Sequence, residues 1–133
     1  MYQILVPVDD DVGRAVAQAE FVTGLPGVPG DVGVTVVHAY RDDGADDDLP
    51  PEQSKAVSEA LDRLADAGVE AESREIYLPV SEGILDIASD LAVDHIVLGG
   101  RRRSPAGKAI FGSVTQRVIL NADLPVTVVG MTD

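Results

Sequence analysis

Short runs of β-branched residues, separated by segments with helical periodicity, constrain this chain more than any other feature. Ile4-Leu5-Val6-Pro7-Val8 is apolar throughout and runs into Asp9-Asp10-Asp11. Continuous rather than alternating apolar character means that both faces of a strand are covered, so this run reads as a buried strand leaving its sheet into a polar loop. Val12, Val16, Ala19, Phe21 and Val22 then recur near helical spacing, and the Gly- and Pro-rich stretch 24–33 stops that helix. A second buried strand is expected over 32–39, centred on Val34-Thr35-Val36-Val37, followed by an acidic, solvated and mobile loop over 41–51. Over 52–67, Ala56, Ala60, Leu61 and Leu64 share one helical face, with Gly68 as the stop.

The same rhythm continues to the end. A third strand is expected over 69–77, then a helix opened by Ser81-Glu82 that carries Ile84, Leu85, Ile87, Ala88 and Leu91. His95-Ile96-Val97-Leu98 reads as a strand ending at Gly99-Gly100, 113–120 as a helix, and Val126-Thr127-Val128-Val129 as the last strand. Strict β-α-β-α-β-α-β-α-β alternation predicts an α/β fold: a doubly wound, five-stranded parallel sheet with helices on both faces and right-handed crossovers. Ligands of such sheets bind at the carboxyl ends of the strands, where Asp9, the residues after Ala39 and the residues from Gly99 onward all fall.

At 133 residues the chain is expected to be one domain, spanning 1–133. It has no cysteine, which removes disulfide scaffolds and thiolate zinc sites. No apolar run of about 18 residues is present, and the start Met1-Tyr2-Gln3-Ile4 lacks the marks of a secretory signal, so a cytoplasmic protein with no membrane partner is expected. The formal net charge of -13 repels nucleic acid and anionic lipid. Lysine occurs only at Lys55 and Lys108, and this aspartate-rich, lysine-poor balance resembles that of proteins from extreme halophiles.

Against that acidity, Arg101, Arg102, Arg103, Lys108 and Arg117 concentrate half of the ten basic residues in one stretch. An anion is one cause: glycines admit close backbone approach, the helix starting near Ser113 presents amide groups and a favourable dipole, and arginines neutralise phosphate. Salt bridges to neighbouring carboxylates are the alternative, with the glycines only turning the chain. Asp9-Asp10-Asp11 either hold Mg²⁺ beside a nucleotide, Asp9 being the candidate ligand, or favour the dipole of the following helix. Ser113 is expected to cap the last helix through its hydroxyl. His38 and His95 lie at strand ends without a visible set of metal-ligand partners and are expected to be structural.

The segment Gly99-Gly100-Arg101-Arg102-Arg103-Ser104-Pro105-Ala106-Gly107-Lys108-Ala109-Ile110-Phe111-Gly112-Ser113-Val114 resembles the signature of the universal stress protein family, G-x2-G-x9-G-[ST]. The likeness extends to the opening Ile4-Leu5-Val6-Pro7-Val8-Asp9, to Val36-Val37-His38 and to the closing Leu124-Pro125-Val126-Thr127-Val128-Val129. It implies a Rossmann-like fold of the adenine nucleotide alpha hydrolase type, a role in stress response, and binding of ATP or another adenine nucleotide, with or without Mg²⁺. By position, Pro7, Val8 and Asp9 together with Val37, His38 and Ala39 would flank the base. Gly99, Gly100, Arg101, Arg102, Gly112, Ser113 and Val114 would wrap ribose and phosphates, with Ser113 meeting the terminal phosphates. Family members commonly pair through the last strand, which implies a homodimer through Val126, Thr127, Val128 and Val129, an exposed edge being ready to pair.

Arg102 stands where the second signature glycine falls, which makes a nucleotide-free interaction dimer of the same fold the alternative. A receiver-like signalling domain is more remote, because Glu75-Ile76-Tyr77-Leu78-Pro79 offers no aspartate at the end of the third strand. No nucleophile paired with a base emerges, so a binding module is expected rather than an enzyme, any ATP hydrolysis being slow and incidental.

The acidic composition carries its own test. Molar salt shortens the Debye length to about 3 Å and so suppresses repulsion among surface carboxylates. The melting temperature is expected to fall when KCl is lowered from molar to millimolar; a melt that does not move would remove the halophile reading.

Overall fold

The computed structural model describes residues 1–39, 54–77, 79–102 and 112–131. The acidic connection 41–51 and the segment 103–111, with Arg103 and Lys108, lie outside the described residues, and of Arg101 and Arg102 only the backbone is described. The elements follow one another as β1 (Tyr2–Val8), α1 (Val12–Thr23), β2 (Val32–His38), α2 (Lys55–Asp66), β3 (Glu70–Arg74), α3 (Val80–Asp90), β4 (His95–Arg102), α4 (Ser113–Asn121) and β5 (Val126–Met131). All four neighbouring strand pairs are parallel, and the spatial order is β3-β2-β1-β4-β5. The expected five-stranded parallel α/β sheet is therefore what this chain forms.

Both faces of the sheet are covered, for the reason the continuous apolar strands implied. Ile4, Val6 and Val8 of β1 pack with Ala15, Ala19 and Val22 of α1 and with Val57, Ala60 and Leu64 of α2. On the opposite face Leu5, Ile96 and Leu98 pack with Val80, Ile84 and Ala88 of α3 and with Val118 of α4. Each fully buried aliphatic side chain contributes about 1.5–3 kcal/mol, so these two layers account for most of the driving force. Asp11 caps α1 by accepting the Arg14 N–H at 2.9 Å, and Ser54 caps α2 by accepting the Val57 N–H at 3.3 Å. Gly68 ends α2 with φ +78°, a left-handed conformation that glycine adopts without steric cost. Among the described residues no helix is long and apolar enough to cross a membrane.

Element boundaries differ from the sequence expectation where a partner strand decides them. β3 stops at Arg74, which pairs with Val37, instead of continuing to residue 77, and β2 itself ends one residue further, at His38. β4 continues through Gly99 and Gly100 to Arg102, because β5 runs alongside as far as Met131. The register steps from Gly99↔Val129 to Arg102↔Met131, an irregularity that puts one extra residue on β4. Arg102 thus occupies a strand position, which requires no glycine.

The order β3-β2-β1-β4-β5 places a topological switch point between β1 and β4. Pairing of these two strands is confined to Ile4↔His95 and Leu5↔Ile96, so their carboxyl ends are not laddered together. At the opposite end His95 ties three strands: its Nδ1 is 3.0 Å from the Tyr2 hydroxyl and its Nε2 is 2.7 Å from the Thr127 hydroxyl. Two hydroxyls satisfy a neutral imidazole, and partial burial holds the His95 pKa below its ordinary value of 6.5.

Because the unfolded chain then binds the proton more readily, His95 contributes stability that is complete above the unfolded pKa and is lost as pH falls below it. The difference in melting temperature between the wild-type protein and His95→Gln is expected to narrow as pH drops from about 7.5 to 5.5. A difference that stays constant over that range would show that His95 is not held neutral.

Candidate functional site

Beyond Leu5 the carboxyl ends of β1 and β4 part, and a cavity of about 150 Å³ opens there, closed on its far side by the start of α4. Pro7 and Asp9 line it from the end of β1, Arg14 and Gln18 from α1, Ala39 from the residue after β2, Leu98 and Gly99 from β4, and Ile84 from α3. Gly112, Ser113, Val114 and Thr115 complete the wall. Of the residues assigned to a site from sequence, Pro7, Asp9, Ala39, Gly99, Gly112, Ser113 and Val114 are thus brought together. Val8, Val37 and His38 are buried and do not line the cavity. Gly100 faces β5 instead: a Cβ there would lie 3.1 Å from Val128 Cγ1.

Gln18 holds the parted strands. It is 1% exposed, and its Nε2 donates to the Pro7 carbonyl of β1 at 2.6 Å and to the Val97 carbonyl of β4 at 3.0 Å. Buried carbonyls at a split in a sheet must find donors elsewhere, and one side-chain amide serves both strands here. The single polar position within the buried stripe Ala15, Gln18, Ala19 and Val22 was the available signal, although its partners lie up to 79 residues away.

Arg14 crosses the cavity floor above Gly99. A Cβ on Gly99 would fall 2.4 Å from Arg14 Cγ and 2.8 Å from Gln18 Oε1, so glycine is required here for the two side chains of α1 to pass. The Arg14 Nε donates to the Gly100 carbonyl at 3.0 Å, and its Nη1 pairs with Asp9 Oδ2. The other Asp9 oxygen accepts the Asp11 N–H at 2.9 Å. Asp10 lies to one side, its Oδ1 accepting from His38 Nε2 at 2.7 Å. His38 and His95 thus have the structural partners expected of them.

Across from this charged group stands the start of α4. Its cap is Gly112, with no side-chain cap bond, so Ser113 is the first helical residue and not the cap, contrary to the sequence expectation. A cap residue must keep non-helical dihedrals, which Gly112 has at φ -73° and ψ 166°. The first amide groups of a helix have no partner within it and carry its positive dipole end, so this wall favours an anion. Ile84, Leu98, Ala39 and Pro7 give the cavity an apolar side. An apolar slot beside a helix start suits a flat ring attached to an anionic group.

Comparison with known proteins agrees with this architecture. A sequence model described as Universal stress protein family matches residues 1–130. A universal stress protein of Mycolicibacterium smegmatis is 33% identical over 100 residues, covering 74% of this chain and 76% of that one. The structure of a universal stress protein from Archaeoglobus fulgidus superposes with a TM-score of 0.72 at 32% identity, covering 97% of this chain and 98% of the other. A structure of the universal stress protein from Archaeoglobus fulgidus in complex with dAMP gives a TM-score of 0.72 at 28% identity, with the same coverage.

Replacing Gln18 by Met keeps the volume but removes the donor to both carbonyls. Gln18→Met is expected to lose about 1–3 kcal/mol in urea unfolding, the range for stranding buried polar groups. Unchanged stability would mean that the split in the sheet does not depend on this amide.

Proposed function

The chain belongs to the universal stress protein family, and on that premise we propose that it is a regulatory module that binds an adenine nucleotide at the carboxyl end of its sheet. The observation that carries this reading is the cavity at the β1/β4 switch point, where an apolar slot lies against the Gly112-capped start of α4. The base lies on the side of Pro7, Ala39, Ile84 and Leu98, and the phosphates run toward the amides of Gly112, Ser113 and Val114. The dAMP complex of the Archaeoglobus fulgidus protein, which shares 28% of its residues with this chain, supports the same class of ligand. Arg101 and Arg102 belong to the same strand as Gly99. The strand backbone at Arg102 is one that a residue other than glycine adopts.

The module acts as a binding protein in stress response, any hydrolysis being slow and incidental, and works in the cytoplasm. It functions as a homodimer through β5. That strand pairs only with β4 among the described residues, and Ile119 and Leu120 of the preceding helix are exposed, Leu120 at 81%. Edge backbone groups next to apolar surface favour a second copy. A second reading, a nucleotide-free interaction dimer, is favoured by one observation: Asp9 and Arg14, both lining the cavity, pair with each other.

One preparation distinguishes the two. Protein purified in molar KCl is denatured, released small molecules are identified by mass spectrometry, and ATP is titrated calorimetrically while the mass of the native protein is measured by light scattering. A stoichiometric adenine nucleotide, or binding heat with ATP, on a dimer is expected. An empty protein with no heat or thermal shift at millimolar ATP would leave the interaction dimer, and a monomeric mass at micromolar concentration would overturn the dimer.

A further inference from the structure

Among the described residues Asp9 is the one carboxylate that lines this cavity, and so the candidate to hold a divalent cation beside a nucleotide. Mg²⁺ demands octahedral oxygen ligands at about 2.0–2.1 Å and is reluctant to share them. Both Asp9 oxygens are already engaged, Oδ1 by the Asp11 N–H and Oδ2 by the Arg14 guanidinium. The neighbouring acids are committed as well: Asp10 accepts from His38, and Asp11 caps α1 through Oδ1, with its Oδ2 3.7 Å from Arg14 Nη2. Asp9 does not fit Mg²⁺ as it stands, because a fixed cation and a backbone donor of the chain occupy its two oxygens.

That cation is built in firmly. Arg14 is held at three points: by Asp9, by the Gly100 carbonyl at 3.0 Å, and by its stem lying against the bare Cα of Gly99. Its side chain is 18% exposed and that of Asp9 42%, so the pair is shielded from water on the Arg14 side and open to it on the Asp9 side. A guanidinium never loses its charge and fixes a carboxylate in direction as well as in charge.

On the nucleotide reading above, from which this inference starts, we propose that Arg14 replaces a divalent metal as the counter-ion of Asp9, and that the nucleotide binds here independently of Mg²⁺. Arg14 is a positioning residue: it holds the Asp9 carboxylate in place at the cavity, where its remaining lone pairs accept hydrogen bonds from N–H or O–H groups of the ligand. The first signature glycine, Gly99, serves in this chain as the seat of the Arg14 stem.

The test is calorimetric titration of ATP in molar KCl, with EDTA and then with excess Mg²⁺, on the wild-type protein, Arg14→Gln and Arg14→Lys. Wild-type affinity is expected to agree within about twofold between the two conditions, because Asp9 has no oxygen free for the metal. Arg14→Gln is expected to bind more than about tenfold more weakly in EDTA and to regain part of that with Mg²⁺, because Asp9 then has an oxygen to offer. Arg14→Lys, which keeps the charge, is expected to stay independent of Mg²⁺. General damage to the fold would lower both affinities together and leave their ratio unchanged, and an unchanged ratio in Arg14→Gln overturns the proposal. Wild-type binding at least about tenfold tighter with Mg²⁺ overturns it whatever the variants do, including a variant that does not fold. Absence of wild-type binding in both conditions overturns the nucleotide reading itself, and this inference with it.

Discussion

The parting of β1 from β4 beyond Leu5 is the constraint on which the rest of this structure depends. A parallel sheet satisfies its backbone groups by laddering, and a sheet that opens must satisfy them in another way. Here the chain winds outward through β2 and β3 on one side of β1, then crosses to β4 and β5 on the other, so helices leave the central strands in opposite directions. The crevice between them is what such a topology leaves at its carboxyl edge. Gln18 satisfies the buried, unladdered carbonyls of Pro7 and Val97, and Arg14 covers the floor above Gly99. Both come from α1, so the helix that seals one face of the core also shapes the cavity.

Two electrostatic regimes meet in that cavity. One wall is an ion pair of Asp9 and Arg14, tied to the backbone of Asp11 and Gly100. The other is the start of α4, whose amide groups carry no side-chain cap. The first is balanced by itself and is therefore suited to hold a shape, whereas the second is unbalanced and suited to receive charge. In a chain of net charge -13, an anion reaches such a site only where fixed positive potential is concentrated, and the arginines after Gly99 lie next to it in sequence. This division of labour makes the apolar slot between the walls the natural place for an uncharged ring.

Much of the architecture was legible before any coordinates, and the misses have specific causes. Ile4 to Val8 and Ile96 to Leu98 are apolar without alternation, which only a strand covered on both faces permits, so the doubly wound sheet followed. Strand ends were less legible. Glu70 to Arg74 is shorter, and His95 to Arg102 longer, than local composition suggests, because a strand extends only as far as it pairs with a neighbour. Ser113 has the residue type of a cap, but the turn begins one residue earlier, at a glycine. Arg14 and Gln18 escaped notice because their roles are made by contacts with Gly100 and Val97, 86 and 79 residues away.

The sequence by itself determined the order of elements, the two-sided burial of the strands and the edge of the sheet at which Asp9, Ala39, Gly99 and Ser113 gather, because periodicity and glycine placement are local properties of a chain. Only the tertiary structure decided which of those residues share one cavity, that Val37 and His38 are buried and do not line it, and that Asp9 is paired with Arg14. Those outcomes depend on distances between segments remote in sequence, and such distances are fixed only when the helices have packed on both faces of the sheet.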